Sequence, residues 1–253
     1  MERFMEDQEL LRYSKQIMLP QVDVEGQQKI MDATVLIVGM GGLGSPTALY
    51  LAAAGVGHLI IADFDQVELS NLQRQIIHQT KDIGDDKVNS AKNKLTELNP
   101  NIKITIANEL IHTGNLPDLI KGVDIVLDGT DNFESRFEIN QICVEHQKPL
   151  VSAAVVRFEG QVSVFKGYEN DQPCYQCLYS VEGEDNESCI DNGVLAPVAG
   201  LVGTIQALQA IKVILDLGDQ LSGSLLLIDA LDLSFRKVKI SKDLKCPVCN
   251  SSQ

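Results

Sequence analysis

Long apolar runs are scarce in this chain. None approaches the roughly 20 uninterrupted apolar residues that cross a bilayer, so no membrane partner is expected. The opening segment, MERFMEDQELLRYSKQ, is charged throughout and has no apolar core, and it is not expected to act as a signal peptide. A cytoplasmic location follows as the expectation. Positive charge is also short: 21 Lys and Arg face 35 Asp and Glu, a net charge of −14. Such a surface repels phosphate backbones, which excludes duplex nucleic acid as an expected partner. An anionic ligand would need a local cluster of cations. Cysteine is too sparse for a disulfide scaffold, with six in 253 residues, and reduced cytosolic thiols point instead to metal binding or thiol chemistry. The four histidines, at positions 58, 78, 112 and 146, are scattered, and none reads as catalytic. Pro/Ser-rich linkers and internal repeats are absent.

What is present is ordinary for a globular chain: 44% hydrophobic and 22% charged residues, which excludes disordered and fibrous classes. Residues 6–18 carry Leu10, Leu11, Ile17 and Met18 among charges and predict one amphipathic helix. Thr34–Val38 is a continuous apolar run, as in a parallel strand buried on both faces. A glycine turn follows, then a helix over Ser45–Ala54 and a second strand, His58–Ala62. Helices near 87–98 and 134–147 alternate with strands near 102–107 and 123–128. This βαβ repetition predicts a doubly wound, mostly parallel α/β sheet over residues 1–150. Residues 151–253 read as an antiparallel extension of that sheet, with strands at Val162–Phe165, Leu225–Ile228 and Phe235–Ile240 and one helix of small residues near 198–217. The expectation is a single domain over 1–253.

Gly39, Gly41, Gly42 and Gly44 satisfy G-x-G-x-x-G directly between a strand and a helix, a Rossmann-like context in which backbone N–H groups approach phosphates. Asp63, at the end of the second strand, is placed to accept ribose hydroxyls. These features alone fit a dinucleotide-dependent oxidoreductase as well as an ATP enzyme. Arg74, in Ser70-Asn71-Leu72-Gln73-Arg74-Gln75, and Lys87 weigh against the oxidoreductase, because a triphosphate needs such cations in so acidic a chain. Asp128 and Asp131 follow an apolar strand, where a carboxylate opposite phosphates is a natural Mg²⁺ ligand. One of the two is expected instead to cap the helix near Phe133.

Cys174-Tyr-Gln-Cys177 and Cys246-Pro-Val-Cys249 form two C-x-x-C knuckles. Four thiolates saturate a tetrahedral Zn²⁺ and leave no open position, so the expected site is structural and clips the tail to the sheet extension. A redox dithiol is the competing reading, weakened because neither pair opens a helix after a strand in the sequence pattern. Cys189 lies apart, in the acidic loop 180–193. It is a candidate nucleophile toward an activated carbonyl, but neighbouring Glu and Asp should raise its pKa, and an incidental role is the alternative. Cys143 reads as a core residue of its helix.

GMGGLGSP, DFDQVELSNLQRQ, Lys87, DGTDNFESR and the paired knuckles together resemble the MoeB/ThiF/HesA adenylyltransferases, bacterial relatives of ubiquitin-activating enzymes. The resemblance runs from about Leu10 to Cys249. VSAAVVRFEGQVSVF and LIDALDLSFRKVKI look more like the molybdopterin-synthase branch than the thiamine branch. The resemblance implies an ATP site built from Gly42, Asp63, Ser70–Arg74, Lys87 and Asp131, with Asp65 and Asn132 in the same segments. Arg74 and Lys87 would hold phosphates, Asp63 the ribose and Asp131 the Mg²⁺. It implies a homodimer in which the family's R-Y-x-R-Q motif, here Arg12-Tyr13-Ser14-Lys15-Gln16, reaches the partner's nucleotide; lysine at the second cationic position keeps the charge but loses the two-pronged geometry. The implied reaction adenylylates the C-terminal carboxylate of a ubiquitin-like sulfur carrier ending in Gly-Gly, after which a sulfur donor displaces AMP. The thiamine-pathway carrier, an NAD(P)-linked oxidoreductase and a non-catalytic scaffold are the alternatives.

Overall fold

A computed structural model describes residues 5–179 and 193–250. Two short helices, α1 (Asp7–Arg12) and α2 (Ser14–Ile17), lead into α3 (Asp23–Asp32). Then come β1 (Thr34–Val38), α4 (Gly44–Ala54), β2 (His58–Ala62), α5 (Lys87–Leu98), β3 (Lys103–Ala107), α6 (Leu116–Leu119), β4 (Ile125–Asp128) and α7 (Phe133–Glu145). The remainder is β5 (Leu150–Val156), β6 (Glu159–Phe165), α8 (Tyr175–Leu178), α9 (Ala196–Leu215), β7 (Ser224–Asp229) and β8 (Ser234–Lys239).

All eight strands join one sheet in the order β3-β2-β1-β4-β5-β6-β7-β8. The first five are parallel; β6, β7 and β8 are added antiparallel, as the sequence predicts. β1 is buried on both faces because the sheet is covered on both: Val35 and Ile37 pack with Leu51, Val88 and Leu95, while Leu36 and Val38 pack with Ile139 and Ile142. Helix α9 has the length and apolar composition of a bilayer span, but it packs on α4, β5 and β6 as a core helix.

The N-terminal segment corrects an expectation. The chain breaks into two helices at Tyr13, and Leu10, Leu11 and Met18 are exposed. The buried residues are Glu9 and Tyr13, and the Tyr13 hydroxyl accepts from Asn99 at 2.8 Å while its ring covers Gly55. A phenol with one polar end finds both contacts there, which four aliphatic side chains at irregular spacing do not.

Candidate active site

β1 lies between β2 and β4, with Val38 in register with Ala62 on one side and Asp128 on the other. The sheet order reverses direction here, and loops leaving three strand ends converge, the usual ligand position in open α/β sheets. The pocket they enclose is lined by Gly39, Gly41 and Gly42 from the turn, Asp63 and Asp65 after β2, and Asp131 and Asn132 after β4. Arg74 and Lys87 complete its wall.

Local chemistry explains each placement. Gly39 has φ +94°, and a Cβ there would stand 2.9 Å from the Gly129 carbonyl oxygen. Gly44 does not line the pocket: it packs the start of α4 against the turn. Asp63 accepts from the Met40 N–H at 2.7 Å and the Asp65 N–H at 2.9 Å. Burial raises its carboxyl above the usual range, and the Lys87 charge and both hydrogen bonds oppose that shift. Lys87 is buried, and its ammonium meets Asp65 Oδ2 at 2.7 Å. Arg74 lies across Gly42 and donates to the Ser70 carbonyl at 3.2 Å. Ser70, Asn71, Leu72 and Gln73 do not line the pocket; they form the tight turn from which Arg74 projects.

Neither aspartate caps α7. Asn132 is the cap, accepting from the Ser135 N–H at 2.9 Å. Asp128 is buried at the end of β4, where Thr130 and Ser152 donate to it, and Asp131 is exposed at the pocket lip. Arg12 donates to the Leu98 carbonyl at 3.2 Å within its own chain, Lys15 is exposed, and neither lines this pocket. Cys189 lies outside the described residues. Cys143 is buried in the core.

Several pocket residues escaped the sequence reading, two of them polar and beside its motifs. Arg136 lines the wall, with Nη2 donating to the Thr130 carbonyl at 2.6 Å and Nε 3.9 Å from Asp128 Oδ2. Its signal was its place in DNFESR, one helical turn beyond Asn132. Gln75, beside Arg74, is the other. A second cavity shares Asp131, Asn132 and Arg136 with the pocket and runs along β6 and β7 past Gly160 and Leu227.

Outside this pocket, the sulfurs of Cys174, Cys177, Cys246 and Cys249 all lie within 4.8 Å of one another. Three separations are 3.4, 3.6 and 4.0 Å, against about 3.8 Å between thiolates on a tetrahedral zinc with Zn–S near 2.3 Å. The donor set therefore fits zinc. The thiols are coupled: the hydrogen bond between Cys174 and Cys177 lowers the Cys177 thiol and raises that of Cys174. Cys174 caps the one-turn helix α8 with extended backbone, but a connection over 166–173 separates it from β6, so it does not stand directly at a strand end.

Such a cleft, with cations facing a glycine turn, defines a nucleotide-handling α/β enzyme. The ThiF family profile matches residues 13–248, and the chain belongs to that family. It is an adenylyltransferase by the relatives it resembles. It is 46% identical to the molybdopterin-synthase adenylyltransferase of Escherichia coli K12, over 96% of this chain and 97% of that one. It is 44% identical to the sulfur carrier protein ThiS adenylyltransferase of the same organism, over 98% of each. A crystal structure of E. coli MccB with ATP superposes with a TM-score of 0.81 at 25% identity, covering 94% of this chain and 74% of that one.

Proposed function

We propose that the protein uses Mg-ATP to adenylylate the C-terminal glycine carboxylate of a small ubiquitin-like sulfur carrier, the small subunit of molybdopterin synthase. The observation that carries this reading is the continuity of the nucleotide pocket with the groove along β6 and β7, through Asp131, Asn132 and Arg136. A Gly-Gly tail has no side chains and can thread such a groove to the phosphates.

The carboxylate oxygen attacks the α-phosphorus, a P–O bond forms, and the bond to the β-phosphate breaks to release pyrophosphate. An α-carboxyl has a pKa of about 3.5, so the nucleophile is already ionised at neutral pH and no general base is required. The difficulty is repulsion between carboxylate and phosphates. Arg74, Arg136 and Lys87 supply positive charge around the reacting groups, and Asp63 orients the ribose. Asp131, a hard oxygen donor at the lip, would hold the Mg²⁺, which when bound neutralises phosphate charge. The four cysteines would hold a structural Zn²⁺. The functional unit is a cytoplasmic homodimer in which Arg12 and Lys15 reach the partner subunit's nucleotide, and a sulfur donor protein then displaces AMP. The whole chain acts as one domain, its nucleotide half in 1–150.

The test is to mix the enzyme with ATP, Mg²⁺ and either the molybdopterin-synthase or the thiamine-pathway carrier and weigh each carrier. Adenylyl mass gained by the first at a faster rate supports the reading. Faster gain by the second assigns the chain to the thiamine branch, and gain by neither refutes adenylylation of both.

A further inference from the structure

His78 belongs to none of the functional groups above, yet it is 5% exposed and both its ring nitrogens are engaged. Nε2 lies 3.1 Å from the Met40 carbonyl oxygen, and Nδ1 lies 2.8 Å from the Ser90 hydroxyl. A carbonyl oxygen only accepts, so Nε2 carries the proton, and the single Ser90 hydroxyl proton serves either Nδ1 of the neutral ring or Asp82 Oδ2, 3.0 Å away. Burial lowers the ring's proton affinity and favours that neutral form. Met40 stands inside the glycine turn, and its N–H is held by Asp63. Its donor is thus fixed from the end of β2 and its acceptor from the segment beyond Arg74. Ser90 lies three residues after Lys87 on α5. The chain Asp63–Met40–His78–Ser90 therefore joins three walls of the pocket.

We propose that His78 is a positioning residue that sets the glycine turn for nucleotide phosphates by fixing the Met40 peptide; this rests on the nucleotide reading above. Its charged neighbours are Asp63, Asp82 and Lys87. If the ring gains a second proton, Nδ1 donates to Ser90, whose hydroxyl donates to Asp82 Oδ2 at 3.0 Å. The Nε2–H bond to Met40 survives in both states, so the device is independent of pH across the neutral range.

The experiment measures ATP binding by calorimetry and ATP–pyrophosphate exchange for the full-length protein. His78→Ala should raise the ATP Kd and KM about tenfold, the upper end for one buried hydrogen bond, and leave kcat nearly unchanged. His78→Gln, whose amide nitrogen reaches the Nε2 position, should recover most of the affinity. The ratio of the His78→Ala Kd to the wild-type Kd should stay flat with pH. An unchanged Kd in His78→Ala, or a glutamine variant no better than alanine at matched melting temperature, overturns the proposal. If His78→Ala fails to fold, the shorter His78→Asn serves, and binding as tight as His78→Gln overturns it. Wild-type protein that does not bind ATP refutes the nucleotide reading itself.

Discussion

Gly41 and Gly44 belong to one motif but answer to different forces, and alanine at each separates them. A Cβ on Gly44 would stand 1.9 Å from the Gly39 carbonyl oxygen, whereas real Cβ contacts essentially never fall under 3.0 Å. The turn and the start of α4 would have to part by more than an ångström, and the obstacle is backbone that cannot swing aside. Overpacking costs about 1–3 kcal/mol, and this contact belongs at the upper end. For a chain of this size each kcal/mol moves the melting temperature by roughly 2–4 °C, so Gly44→Ala should melt roughly 6–12 °C below wild type. A Cβ on Gly41 meets only Gln75 Nε2, at an ordinary 3.6 Å, and its φ is not in the left-handed region. Gly41→Ala should melt within about 2 °C of wild type. Its methyl enters the space where backbone approaches phosphates, so ATP affinity should drop about tenfold or more. Scanning calorimetry and ATP titration on both variants decide the matter. A Gly44→Ala protein that melts with wild type, or a Gly41→Ala protein that binds ATP normally, refutes the reasoning.

Asp131→Ala should abolish pyrophosphate exchange and leave the melting temperature in place, since Asp131 is exposed at the pocket lip; near-normal exchange removes it from the metal-binding role. Arg74→Ala should cost about 10²-fold in exchange rate, as positioned donors do, and a loss of only a few-fold would make it surface charge. The purified protein should carry one zinc per chain, read by elemental analysis, and Cys246→Ser should lose it. That variant should lose far more thermal stability than ATP affinity, because four thiolates leave no position for substrate.

The parallel half of the sheet was legible because its strands are buried on both faces. Thr34–Val38 and His58–Ala62 are uninterrupted apolar runs, and their ends are observed where the sequence places them. β5 carries a branch signature in the sequence and no strand signal, since VSAAVV does not alternate apolar with polar residues. α3 went unread because it buries Gly26 and Gln27 beside Ile30 and Met31, a face that does not look apolar. The candidate site was legible wherever a residue stood in a short motif. Arg136 was not, since an arginine within a helix reads as solvated charge until its contacts with Thr130 and Asp128 are seen. His78 was dismissed as isolated because its partners lie 38 and 12 residues away along the chain.

The cysteine centre joins positions 72 residues apart, and between its two halves lie α9, β7 and β8. Cys174 and Cys177 alone offer two thiolates, too few to retain a tetrahedral ion against competing thiols. The four-thiolate set is complete only when Cys246 and Cys249 have been brought to the first pair. Closing a loop of that length costs the disordered chain several kcal/mol, on the order of 4, and an ion held across it withdraws the same freedom from the unfolded ensemble. An ion held by all four thiolates would therefore tie the chain beyond β8 to α8.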